Sequence, residues 1–176
     1  MSTHWIAGGA VILCGAAAWC DLQYRRIPNA LTLPTVVLAL CLHGITHGGP
    51  GLLLSVGGML VAAAVVIPGY ALGFTGAGDV KLLAAVGALL ALPGALYAAL
   101  LSLVLGGVLS VLLSLWRHNL SHLLRNTWGM GRWLVIRSTG APVAAPVASG
   151  TGIPLGVAIA VATLVVVFGP WFGATR

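Results

Sequence analysis

The chain has 176 residues, of which 60% are hydrophobic and only 6% charged, and it carries a formal net charge of +6. With a mean hydropathy of +1.09 it has too few polar groups to cover a soluble core with a wet surface. The cations sit in short loops rather than in a groove with interleaved aromatics, which favours anionic lipid headgroups over nucleic acid as a partner. The composition predicts an all-α, polytopic membrane helix bundle, with residues 1–176 forming a single membrane-embedded domain.

A helix needs about 20 apolar residues to cross the hydrocarbon, and six stretches meet or approach that length. The first, Thr3 to Cys20, has no Lys or Arg ahead of it and no small-residue cleavage pattern behind it. It reads as a retained span rather than a signal peptide. A polar segment follows, Asp21-Leu-Gln-Tyr-Arg25-Arg26-Ile-Pro28-Asn29, before spans at Ala30 to Thr46 and Leu52 to Leu72. Next come Gly73-Phe-Thr-Gly76-Ala-Gly78-Asp79-Val-Lys81, a short span from Val80 to Leu92, and a long one from Ala95 to Trp116.

Leu92-Pro93-Gly94 makes either a kink or a tight hairpin, and charge decides between them. With a hairpin, Arg25, Arg26, Lys81, Arg117, Arg125, Arg132 and Arg137 fall on one side and only Arg176 on the other. Without it that bias vanishes, so a hairpin is expected. The positive-inside rule then puts both termini outside the cytoplasm. Residues 117–152 read as a cytoplasmic amphipathic segment, Arg117 to Arg137, followed by a flexible linker. The last span is expected from Ile153 to Phe172.

Cys14, Cys20 and Cys41 form no CxxC pair, and His118 with His122 has no acid or cysteine nearby in sequence. No metal site and no cofactor are expected. The chemistry therefore falls to the chain's two acidic residues, Asp21 and Asp79, for there is no glutamate. Carboxyls beside hydrocarbon are costly and mark function. The hairpin parity places both on the cytoplasmic side.

Gly76 and Gly78 permit irregular backbone just before Asp79, which a membrane tolerates only where protein or water surrounds it. Two carboxyls sharing a wet cavity are the minimum for aspartic peptide hydrolysis. The plainer readings are that Asp79 caps a helix and that Asp21 pairs with Arg25 or Arg26. Helix polarity alone makes Asp79, at a helix start, the ionised member and Asp21, at a helix end, the protonated one.

Gly76-Ala-Gly78-Asp79 with Val80-Lys81-Leu82, Asp21 followed by Arg25-Arg26-Ile-Pro28-Asn29, and the late Ile153-Pro-Leu-Gly156 stretch resemble the type IV prepilin peptidases, the GxGD class of aspartic membrane peptidases. The resemblance spans nearly the whole chain. It implies a bacterial inner-membrane enzyme that removes the basic leader of prepilins at the cytoplasmic face, with Asp21 and Asp79 catalytic. Gly76, Gly78, Lys81, Arg25, Arg26, Pro28 and Asn29 belong to the supporting motifs. The chain departs from larger members in lacking a cytoplasmic region with paired CxxC motifs, so N-methylation is not expected. It is similar to compact members serving tight-adherence (Flp-type) pili. Lipids and prepilins or pseudopilins are the expected partners, and self-association into a homo-oligomer is left open. The rival readings are a proton-coupled transporter and a non-catalytic pilus-assembly subunit.

Overall fold

The computed structural model describes residues 2–24, 27–71, 75–116, 128–129, 132 and 155–169, with side chains from Trp5 onward. These residues form the helices α1 (Ser2–Tyr24), α2 (Asn29–Ala71), α3 (Ala77–Leu90), α4 (Gly94–Trp116) and α5 (Leu155–Phe168), and the described residues include no strand. The amphipathic segment and linker expected at 117–152 lie outside the described residues, apart from the helical positions Trp128, Gly129 and Arg132.

Among the described residues the bundle is all-helical and consistent with a membrane protein, but not with six separate spans. Among the described residues three helices are long and apolar enough to cross a membrane, at Trp5–Tyr24, Asn29–Ala71 and Gly94–Trp116. The expected second and third spans are joined in the 43 residues of α2, the expected fourth shrinks to the 14-residue helix α3, and the described part of the expected last span is the 14-residue helix α5. Fourteen residues reach only about 21 Å, short of the roughly 30 Å of hydrocarbon.

A straight helix of α2's length would measure about 65 Å, twice that thickness. The chain instead breaks at Gly48, where φ of 64° and ψ of −151° suit glycine alone among the common residues. Both halves then lie along α3. At one end the His43 Nε2–H donates to the Leu89 carbonyl at 3.1 Å, and Ser55 Oγ–H donates to the Ala88 carbonyl at 2.6 Å. At the other end Lys81 Nζ–H donates to Asn29 Oδ1 at 3.0 Å, and the Thr75 N–H donates to the Gly69 carbonyl at 3.3 Å. The direction of α2 therefore reverses at Gly48, and α3 packs against both of its limbs.

Helix α3 is the core, with Leu82, Leu83, Ala85, Val86 and Ala88 no more than 1% exposed. Its approach to α2 depends on missing side chains. A Cβ on Gly87 would lie 2.7 Å from Ala62 Cβ, and one on Gly58 would lie 2.9 Å from Ala91 Cα. Small residues of this kind let helices in lipid gain packing energy at close range.

The expected hairpin at Leu92-Pro93-Gly94 is present, and α4 returns alongside α3. Helix α5 runs antiparallel to α1, because Cys14 meets Thr163 while Asp21 meets Gly156. Large apolar side chains cover the outside as well, among them Ile12 at 72%, Ile45 at 80% and Leu53 at 73% exposure. That surface suits hydrocarbon rather than water.

Candidate active site

Asp21 sits one turn before the end of α1, and Asp79 in the first turn of α3. The glycines explain the second position. Gly76 takes extended backbone (φ −81°, ψ 154°) at the N-cap of α3, and its N–H donates to Asp79 Oδ2 at 3.0 Å. The side chain of Asp79 thus closes the turn that carries it, so helix capping and membership of the site coexist.

Asp21 Oδ2 accepts the Gly156 N–H at 2.8 Å, which ties the end of α1 to the start of α5. Asp79 lies ahead of the apolar run that begins at Val80. Burial pushes its carboxyl above the ordinary aspartate range, the Gly76 amide pulls it back, and the charge of Asp21 adds to the rise. The two aspartates, far apart in sequence, therefore stand within electrostatic reach at one end of the bundle. The reading from helix polarity, with Asp79 as the ionised member, meets an opposing cause in this burial. Helix position alone could not reveal it.

The supporting residues converge on the same end. A Cβ on Gly78 would lie 3.4 Å from Ile27 Cβ, so the connection after α1 rests on the first turn of α3. The Lys81–Asn29 hydrogen bond holds the other side of that contact. Lys81 is two residues beyond Asp79 on the helix and so points away from it. Pro28 is exposed, and its carbonyl accepts the Leu31 N–H at 3.0 Å to start α2. Arg25 and Arg26 lie outside the described residues.

Two groups at this end had no assigned role in the sequence reading. One is Gly156, which the Ile153-Pro-Leu-Gly156 stretch contained without showing what it touches. The other is Thr75, whose buried hydroxyl has no hydrogen-bond partner among the described residues. Among those residues no three His, Cys, Asp or Glu converge as a metal set, and Cys14, Cys20 and Cys41 are free thiols.

Two carboxyls at one end of the bundle, one of them raised by burial, form an arrangement in which one group can accept a proton while the other donates one. Residues 9–111 match the model of the type IV leader peptidase family, more than half of the chain. The chain belongs to that family. The match runs from α1 into α4 and contains both aspartates, with the Gly76–Asp79 turn between the second limb of α2 and α3. As a member of the type IV leader peptidase family the protein is a peptidase, and its apolar helices agree with a membrane-bound one. Helix α5, which supplies Gly156, lies beyond the matched residues. Searches of curated proteins and of solved structures gave no match.

Proposed function

We propose that this family member is an aspartic endopeptidase of the bacterial inner membrane that removes the leader of type IV, Flp-like prepilins at the cytoplasmic face. The observation carrying the proposal is that the fold gathers Asp21, at the end of α1, and Asp79, in the first turn of α3, at one end of the bundle, where the charge of one reaches the other. A water molecule between the carboxyls loses a proton to Asp21 as its oxygen attacks the scissile carbonyl carbon. Asp79, the member raised by burial, gives its proton to the carbonyl oxygen. When the tetrahedral diol collapses, the C–N bond breaks. The leaving nitrogen takes the proton from Asp21, and a diol hydroxyl returns one to Asp79. Both groups are then back in their starting states.

A peptide bond within a regular helix has its carbonyl engaged, so a substrate must unwind locally before it can be cut. Cleavage at the end of the substrate's apolar helix, beside the interface, lowers that cost. The cations expected around the site, Lys81, Arg25 and Arg26, keep this end on the cytoplasmic side.

The test is co-expression with candidate prepilins, with leader loss read by mass spectrometry. Wild type should cleave, in a chelator as well, and Asp21→Asn and Asp79→Asn should each lower the rate by about a hundredfold or more. Cleavage unchanged in both variants would discard the aspartic mechanism and leave the assembly-subunit or transporter reading.

A further inference from the structure

We propose that Gly156 is a positioning residue for the reaction: its amide holds the Asp21 carboxyl in the site, and its lack of a side chain makes the room that carboxyl occupies. The inference rests on the function proposed above and extends it to a part of the chain that the family match does not reach.

The first amides of a helix have no partner within the helix. In α5 the Gly156 N–H, in the first turn, donates to Asp21 Oδ2 at 2.8 Å, across 135 positions of sequence. The fit leaves no space for a larger residue. A Cβ at position 156 would stand 2.7 Å from Asp21 Oδ2, 3.0 Å from its Cγ and 3.1 Å from its Cβ. The carboxyl could then keep neither its place nor its bond.

Helix α5 is a firm support for this contact. Ala158, Ile159, Ala160, Ala162 and Thr163 are all buried. Leu155 packs over Gly106 of α4, where a Cβ would lie 2.5 Å from Leu155 Cδ1. A path of packed groups thus runs from α4 through Leu155 and Gly156 to Asp21, so the last described helix sets where one catalytic carboxyl stands. The titratable groups at this end of the described chain are Asp79, Lys81, Cys20, Tyr24 and Tyr70, and Lys81 is bonded to Asn29.

The test removes the amide without adding an atom. Glycolic acid placed at position 156 by nonsense suppression replaces the Gly156 N–H by an ester oxygen. Gly156→Ala keeps the N–H but inserts the Cβ, and Gly15→Ala, where nothing lies within 4 Å, serves as control. Leader cleavage is followed against pH for each. In parallel, carboxyl-labelled aspartate gives two signals, because the chain has two acidic residues, and Asp21→Asn and Asp79→Asn assign them.

The ester variant should keep its helix content and KM, lose about tenfold in kcat, and show the acidic limb moved up by about one pH unit, since a lost donor favours the protonated carboxyl. The Asp21 signal should move in both position-156 variants and stay fixed in the control. An ester variant with unchanged limb and unchanged Asp21 signal overturns the proposal even if both aspartates prove essential. Wild type that cleaves no prepilin, with the Asp21 signal still displaced in the variants, overturns the peptidase mechanism and supports the hold of Gly156 on Asp21.

Discussion

Asp79 is engaged in two ways, and they can be separated by pH. Its carboxyl accepts the Gly76 amide and so caps α3, a role that an asparagine oxygen can also fill. Its burial and the nearby Asp21 raise its folded-state pKa above the ordinary 3.8. A raised carboxyl binds its proton more tightly in the folded chain than in the unfolded one, so stability falls as pH rises through that interval. The loss is absent below 3.8 and complete once pH passes the folded value. Asp79→Asn has no such proton to lose. Its melting temperature in detergent, relative to wild type, should therefore rise from about pH 4 upward and then level off. Parallel curves for the two proteins would show that the carboxyl is not held in this way. The two aspartates and the glycines before Asp79 are legible as a candidate site because acids are so scarce in this chain. The burial that opposes an ionised Asp79 is a property of packing and is not.

The contact between α2 and α3 is where helix packing decides the site, because α3 carries Asp79 and both limbs of α2 rest on it. Gly58→Ala and Gly87→Ala each insert a methyl against Ala91 or Ala62 at less than 3 Å. Overpacking of this kind costs about 1–3 kcal/mol. Each variant should melt earlier and cleave more slowly, whereas Gly107→Ala on α4, with nothing within 4 Å, should match wild type. Equal melting of all three would mean that the helices are not so closely apposed. In the sequence, an apolar-length ruler finds the two limbs of α2 on either side of His47-Gly48-Gly49-Pro50. It does not find that they form one broken element, nor that α3 has only 14 helical residues. Hydropathy measures how apolar a stretch is and carries no signal for where backbone hydrogen bonding stops. Gly48 ends one limb through its dihedral angles, and a positive φ at Ala91 marks the exit from α3.

For the whole molecule, the site and the Gly48 turn lie at opposite ends of the bundle, so the orientation proposed from charge is open to a direct test. In a cysteine-free background, Gly49→Cys should react with an impermeant thiol reagent in intact cells. Trp116→Cys, at the site end of α4, should react only after permeabilisation. The opposite pattern would turn the protein over and rule out a cytoplasmic site.

The sequence by itself determined the solvent of this protein, its helical class, the hairpin at Leu92-Pro93-Gly94 and the pair of carboxyls, because composition, proline–glycine punctuation and a shortage of acids are all local facts. Only the tertiary structure decided that Asp21 and Asp79 come within electrostatic reach and that Gly156 reaches Asp21. Those relations depend on which helices pack together. In a chain so rich in alanine and glycine, many pairs of apolar faces are compatible with close contact, and the choice among them is made by steric fit across residues distant in sequence.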